Sequence, residues 1–468
     1  MYSNLNPFWS TDENGKIKIS QNDLTNFLGD SGFSKVKNFE GRVVLVREYK
    51  NIVREVTDDD VIDFIVDFLR KQNKKEVLEI FSKGVSGFIN KSKLKLLDTT
   101  TMIIDKDSKS TSMFYFKNLT CQVGVYDIRI IPYEKLDKKI WVERIIPNNY
   151  FPYLTNEKSQ FEQFCFNISG QDEKRFKALK TNIGYLLHRF QDSKNTRAVI
   201  FVDQEMSSDG RAHGGTGKTL LMDAIGVCRE VVTISGKDTK SSSNFKNQRV
   251  SHTSDIVFYD DVKQGFNFEE LYSTITSGMV IEQKQKKEFY LPLALAPKIV
   301  ISSNYYVKGT GGNTDSRRRC EFELSSYYNE KNKPDTEFGN RFFDDWDDYQ
   351  WSLFYKFMME CTQVYLREGL IIAEPINLVE NELISSTSIE FYQFVQNKEI
   401  KENEWISKKE TKEDFVKEYP NHSNISSHQF TKWMKVYALS MGLIYEDRKS
   451  GKNYQYFMKS RKEVSDGK

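Results

Sequence analysis

The sequence predicts a multidomain α/β protein in which a parallel sheet with a glycine-rich turn sits between a leading α+β region and a small trailing module of helices and a hairpin. Three observations predict it. RAVIFVD (197–203), DIVFYDD (255–261) and KIVISSN (298–304) are short continuous apolar runs, the pattern of strands buried on both faces. A glycine-rich turn joins the first run to the helical stretch TLLMDAIGVCRE, giving the order strand, loop, helix. A length of 468 residues exceeds what one core organises, so several units are expected.

In chain order, residues 1–153 read as an α+β domain. Within it DDDVIDFIVDFLRKQ (58–72) has helical spacing, and VGVYDIRIIPY (123–133) alternates as strands do. From Ser159 to Phe190 the apolar positions recur at near-helical spacing, a helical lead-in over 154–195 closed by the polar QDSKNT. The sheet-bearing core is assigned to 196–345, with YYNEKNKPDTEFGN (327–340) as loop. The aromatic-rich DDYQWSLFYKFMMECTQVYL marks a helical segment over 346–380, and a polar linker runs near Glu374 to Thr387. In the tail, 385–468, TKEDFVKEYP, SSHQFTKWMKVYALSMGL and IYEDRKSGKNYQYFM read as helix, helix and hairpin, the order of a winged-helix module.

Composition excludes several classes. No apolar run approaches the roughly 18–20 residues of a membrane span, and MYSNLNPFWSTDENGK lacks the basic and apolar segments of a secretory signal, so a soluble, cytoplasmic protein is expected. The five cysteines show no C-x-x-C spacing, against a zinc site or a disulfide framework. With 68 basic and 66 acidic residues, bulk charge does not announce a nucleic-acid binder, so any DNA contact must come from local patches.

The chemistry concentrates in AHGGTGKTLL (212–221). Between a buried strand and a helix, Gly214, Gly215, Thr216 and Gly217 let backbone N–H groups turn toward phosphates, and the helix N-terminus adds its positive dipole end. Lys218 would reach the β- and γ-phosphates of ATP and Thr219 would coordinate Mg²⁺. The sequence departs from G-x-x-x-x-G-K-[ST] at Ala212, and His213 reads as a loop residue. DIVFYDDV ends its strand in Asp260, assigned to the metal, and Asp261, assigned to the attacking water; the plain alternative is an acidic turn. Asn304, closing KIVISSN, is a neutral amide suited to hold water or sense a γ-phosphate, although an Asn there is also a common turn residue. SRRRCEFEL carries Arg317, Arg318 and Arg319, a charge stabiliser for a neighbouring subunit's nucleotide or else a solvated basic turn or a nucleic-acid patch.

Taken together, AHGGTGKT, IVFYDD, ITSGMVIEQKQKK, KIVISSN and SRRRCEFEL resemble the superfamily 3 helicases, in particular the phage and plasmid primase-helicases related to the poxvirus-type enzyme. The resemblance implies an α/β P-loop AAA+ core with a leading α+β and helical domain and a C-terminal winged helix. It also implies an ATP hydrolase and DNA helicase using Mg²⁺, assembled as a homo-hexameric ring on single-stranded and forked DNA, with 3′ to 5′ polarity, alongside replication partners. Lys284, Lys286 and Lys287, on a hairpin lining the channel, would contact DNA; on charge pattern alone the plain alternative is a solvated charged edge. Arg318, with Arg319 next, would be the arginine finger. Primase activity is not expected, because the leading region offers only Asp105 and Asp107, read as a polar turn. The rival reading, an AAA+ assembly factor that binds DNA or remodels a protein without unwinding, shares every ATP-site residue.

Overall fold

The computed structural model describes residues 6–37, 42–101, 105–206, 215–237, 247–251, 253–282, 288–398, 400–451 and 453–460. The leading region opens on a small antiparallel pair, Trp9–Thr11 with Ile17–Ile19. A five-stranded sheet follows, in the order Ile140–Trp141, Ile52–Glu55, Val43–Tyr49, Phe33–Lys37, Thr99–Thr100. The helix Asp58–Lys71 begins where Thr57 and Asp60 cap one another's backbone N–H groups, and it buries Val61, Phe64, Ile65, Phe68 and Leu69, one apolar stripe. A second sheet runs Ile145–Ile146, Ser112–Phe116, Thr120–Val123, Ile128–Ile131.

This second sheet packs across the boundary expected at 153. Phe114, Phe116, Cys121 and Val123 share one apolar cluster with Phe161, Ile183, Val199, Phe201 and Phe354. The lead-in is two helices, Gln160–Ile168 and Glu173–Leu187, parted at Gly170, whose φ is +74°. The second lies against the 21-residue helix Asp348–Glu368, and the approach is close: a Cβ on Gly184 would stand 2.2 Å from the carbonyl oxygen of Cys361.

The central sheet has five parallel strands in the order Val231–Ser235, Ile256–Val262, Lys298–Ser303, Ala198–Asp203, Arg319–Leu324. Its apolar runs are continuous because both faces are covered. Val199, Phe201, Ile256, Phe258 and Val300 face the helical cluster, whereas Ala198, Ile200, Val202, Val257 and Ile301 face a second cluster with Phe268, Met279 and Leu291. The edge strand Val231–Ser235 was not anticipated: it is short and only partly buried. Between the second and third strands in the sheet order, the chain makes an antiparallel hairpin, Gly278–Ile281 with Phe289–Pro292. Lys284, Lys286 and Lys287 lie outside the described residues, as do Gly214, Ala212 and His213.

The stretch read as a polar linker contains a helix, Leu378–Ser386, a correction to that expectation. Its entry is pinned to the parallel sheet: the N–H groups of Ile376 and Asn377 donate to the Glu323 carboxylate at 2.6 and 2.8 Å. Leu383 then joins Phe391, Phe415, Phe430, Trp433 and Met458 in a separate core beneath the helices Lys408–Glu418 and Ser427–Ser440. The antiparallel pair Leu443–Ser450 and Asn453–Ser460 completes this module, with Ile406–Ser407 on the pair's other edge. The loop-like 327–340 stretch holds the short helix Pro334–Phe338. All five cysteines are free and buried. No helix among the described residues is long and apolar enough to cross a membrane.

Asp105 and Asp107 are not a polar turn. Both are buried, and Arg189 bridges them, Nη1 to Asp105 Oδ2 at 2.7 Å and Nη2 to Asp107 Oδ1 at 3.0 Å. Tyr115 OH and Lys138 also reach Asp105, Ser112 Oγ donates to Asp107, and Arg144 pairs with Asp255 beside them. Burial raises both carboxyls, but Arg189 first, aided by Lys138 at Asp105 and by Arg229 at Asp107, outweighs it and holds them well below the ordinary range. This network welds the leading region to the foot of the parallel sheet, where Asp255 precedes its strand.

Candidate functional site

The site lies at the carboxyl ends of three adjacent parallel strands, where an α/β sheet exposes side chains without giving up core. Ala198–Asp203 ends in Asp203, Ile256–Val262 carries Asp260 and Asp261, and Lys298–Ser303 leads into Asn304. The helix Lys218–Cys228 starts beside them. Its N-cap, Gly217, has φ +105° and makes no side-chain cap hydrogen bond. Only glycine serves there, because a Cβ would also meet the Phe164 ring at 2.6 Å. Gly215 shares a positive φ of 107°, and a Cβ on it would meet open space. Uncapped N–H groups at a helix start are a natural anion seat.

Lys218 ties the strand ends together. Its ammonium pairs with the Asp203 carboxylate and donates to Asn304 Oδ1 at 2.9 Å. Asn304 Nδ2 donates in turn to Asp261 Oδ1 at 2.9 Å, and Lys237 Nζ stands 2.7 Å from Asp261 Oδ2. Thr216 Oγ1 donates to Asp203. The amide oxygen of Asn304 therefore faces the cation and its amide nitrogen faces the carboxylate, a neutral link between opposite charges. Asp203 and Lys237 are members that sequence reading missed. Asp203 signalled itself only as a polar residue closing an apolar run.

The two carboxylates are separated by a strand irregularity. Tyr259 pairs with Ile301 and Val262 with Ser303, so Asp260 and Asp261 together oppose Ser302. Asp261 accordingly takes φ +52°. A bulge of this kind re-aims neighbouring side chains that would otherwise point to opposite faces. Ser302 stabilises it on both sides, accepting from Asp261 N and donating to Asp260 Oδ1, each at 2.8 Å. Across from Asp260, removal from water and then the charge of Asp260 hold the Asp223 carboxyl above its ordinary value.

No group of three or more His, Cys, Asp or Glu side chains able to hold a metal occurs among the described residues. The donor set at the cluster fits a hard divalent cation bound with few protein ligands: the Asp260 carboxylate, the exposed Thr219 hydroxyl in the first turn of Lys218–Cys228, and a like-charge pressure on Asp223 that a cation would relieve.

The arginines divide. Arg319 is turned inward, a correction to its reading as a second finger: its guanidinium is buried, bonded to Asp315 at 3.2 Å and to the Val307 carbonyl, and it lies over the Phe268 ring. It holds the loop after Asn304 in place. Arg318 is half-buried, donating to the Thr314 carbonyl at 2.6 Å over the Tyr272 ring, and Arg317 is exposed.

Beside Arg319, burial lifts the Glu321 carboxyl to about 7 against the opposing charge of Arg319. Unfolded, this carboxyl titrates near its ordinary 4.5. Between these two values the folded chain keeps a proton that the unfolded chain releases, so stability falls as pH rises through the window, by at most about 1.4 kcal/mol per pH unit. Glu321→Gln is expected to remove that slope. Thermal unfolding at pH 5 and 8 checks it, and equal slopes in parent and variant would contradict the assignment.

No protein-family model and no curated protein matches the chain. An apo structure of the NrS-1 C-terminal region aligns over 93% of this chain and 98% of that one, at 14% identity and a TM-score of 0.42. A second apo structure of that region, spanning 305–718, has the same coverage and identity and a TM-score of 0.40. Likeness at this level carries no argument about what the chain does.

Proposed function

We propose that the chain is an ATP-dependent DNA helicase of a phage, plasmid or other mobile element. In this reading it has a P-loop AAA+ core of superfamily 3 type and a C-terminal winged helix, and it works in the host cytoplasm as a homo-hexameric ring on single-stranded and forked DNA during replication. The observation that carries the proposal is the continuous hydrogen-bonded line Asp203, Lys218, Asn304, Asp261 at the ends of adjacent parallel strands, with a glycine turn at its edge. The strand order supports the core assignment, because the strand before the glycine turn, Ala198–Asp203, lies between the strand leading to Asn304 and the arginine strand rather than at an edge. The hairpin Gly278–Ile281 with Phe289–Pro292 supplies the two legs on which residues 284–287 would reach DNA.

The division of labour follows from position. Lys218 and the first-turn N–H groups hold the triphosphate and neutralise charge as the terminal phosphoryl departs. Asp261, fixed by Asn304 and Lys237, orients the attacking water and can take its proton. When bound, Mg²⁺ neutralises phosphate oxygens, with Thr219 and Asp260 as its protein ligands. Arg318, the half-buried member of its triplet, completes the site of a neighbouring subunit.

Replacing Lys287 with alanine tests the helicase reading. DNA-stimulated turnover should fall to the basal rate while basal turnover persists. Stimulation equal to the parent's would remove the hairpin from DNA contact and favour an AAA+ ATPase that remodels a protein partner or assembles on DNA without unwinding.

A further inference from the structure

We propose that a separate anion site lies at the far end of the helix Lys218–Cys228, where Arg144, Arg189 and Arg229 wall a cavity that takes a single phosphate group and so fastens the leading region to the parallel sheet. The cavity measures about 180 Å³ and is lined by those three arginines together with Gly226 and Asp255. Small-molecule sites usually begin near roughly 300 Å³, so the space suits a lone tetrahedral oxyanion better than a nucleotide. Its arginines converge from three parts of the chain. Arg144 closes the short turn Val142–Arg144 of the leading region, Arg189 follows the helix Glu173–Leu187, and Arg229 caps Lys218–Cys228 just before the edge strand. The place is therefore at the amino ends of the strands, opposite the cluster around Lys218.

Two of these arginines keep a donor in reserve. The side chains of Arg144 and Arg189 are 5% and 2% exposed, and the Nε of each is buried with no hydrogen-bond partner. Arg144 Nη1 donates to Asp255 at 2.6 Å, and Arg189 gives Nη1 to Asp105 and Nη2 to Asp107, so these pairs leave both Nε–H groups over. A buried donor without an acceptor is costly, and phosphate oxygens are the acceptors that guanidinium groups match best. Asp255, the carboxylate in the wall, is already engaged by Arg144 and accepts from Glu230 N at 3.3 Å.

The charge around the cavity points the same way. Arg144, Arg189 and Arg229 balance the buried carboxylates Asp105, Asp107 and Asp255, and Lys106, Lys138 and Lys298 stand beside them as a surplus. Arg229 donates only to the Leu187, Cys228 and Met113 carbonyls and to Ser112 Oγ, and Lys298 only to the Tyr185 and His188 carbonyls. Burial lowers Lys298 well below its ordinary range and Lys106 to about 8, the response of cations short of counter-charge, which a bound anion would supply. Two further carboxylates stand at the rim. Glu143 is exposed to water, which screens it, and Glu230 Oε1 accepts from Ser251 Oγ and Ser254 Oγ at 3.2 and 3.1 Å.

Calorimetric titration of inorganic phosphate into the full chain carrying Lys218→Ala reads this cavity apart from the glycine turn. One site per chain with a Kd of about 1 mM or tighter is expected. Gly226→Leu, added to that chain, should weaken binding about tenfold or more: Gly226 lines the cavity and a Cβ there meets only Val231 at 3.8 Å, so the larger side chain fills space without removing a charge. Arg144→Met should weaken it as much, with a thermal unfolding scan showing that the variant is folded. Methyl phosphate in place of the free ion identifies the source: equal affinity assigns the site to a phosphate monoester end, and affinity about tenfold weaker assigns it to free phosphate. No binding to the Lys218→Ala chain, when the parent binds phosphate, would overturn the site and leave the glycine turn as the only phosphate seat. Affinity unchanged by both Gly226→Leu and Arg144→Met would overturn it as well.

Discussion

Lys218→Ala is expected to lower nucleotide hydrolysis by about 10²–10³-fold, the loss usual for one preorganised group that stabilises charge in the transition state. The ammonium is the only cation bonded to Asp203 and Asn304 among the described residues, so its removal also breaks the line to Asp261. Asp203, buried, would lose its ion pair but keep the Thr216 hydroxyl, which limits the structural damage. Phosphate release, measured beside a thermal unfolding scan, separates the two effects. Hydrolysis within about tenfold of the parent's, in a folded variant, would remove Lys218 from the phosphate seat. Asn304→Ala checks the same line from its other end and should depress turnover without loosening the leading region.

Arg189→Met is expected to destabilise the chain by about 3–5 kcal/mol, because truncating one partner of a buried ion cluster leaves uncompensated charge. Here two buried carboxylates lose their shared cation at once: Asp105 keeps Lys138, and Asp107 keeps hydrogen bonds from Ser112 and Met113, both side chains being at most 1% exposed. The pH dependence has a definite sign. Both carboxyls titrate well below their ordinary range in the folded chain, so the network's contribution is complete above the unfolded value of 3.8 and is lost as pH falls below it. The parent should therefore hold this contribution from neutral pH to about pH 4, whereas the variant is weakened across that whole span. Limited proteolysis gives a spatial check: cleavage should increase first where the leading region meets the parallel sheet. A variant as stable as its parent at pH 7 would contradict the role given to Arg189.

The elements readable from the sequence are those whose pattern is local. Ala198–Asp203, Ile256–Val262 and Lys298–Ser303 show as unbroken apolar runs because both faces of the sheet are covered, and the stripe of Asp58–Lys71 repeats at helical spacing. Lys218, Asp260, Asp261 and Asn304 could be placed at one end of that sheet for the same reason: each follows directly on an apolar run or the glycine turn. What escaped depends on partners distant in sequence. Asp105 and Asp107 look like turn residues until Arg189 is brought to them, more than eighty positions along the chain. The direction of Arg319 depends on Asp315 and on the Val307 carbonyl, and a run of three arginines carries no mark of which one turns inward. Leu378–Ser386 falls within the stretch that reads as a linker although it carries Leu378, Val379, Leu383 and Ile384, and its start is set by Glu323 on a strand far upstream. The strand irregularity that splits Asp260 from Asp261 leaves no trace in the residue types, since Asp261 alone adopts the positive φ.

Strand displacement of a forked duplex, run beside nucleotide turnover with and without single-stranded DNA, for the parent and Lys218→Ala, bears on the whole proposal at once. The expected result is turnover stimulated by single-stranded DNA, displacement that requires hydrolysable nucleotide, and loss of both in the variant. Turnover indifferent to DNA, with the fork left intact by the parent, would contradict the helicase and leave a nucleotide-driven assembly or remodelling factor in its place.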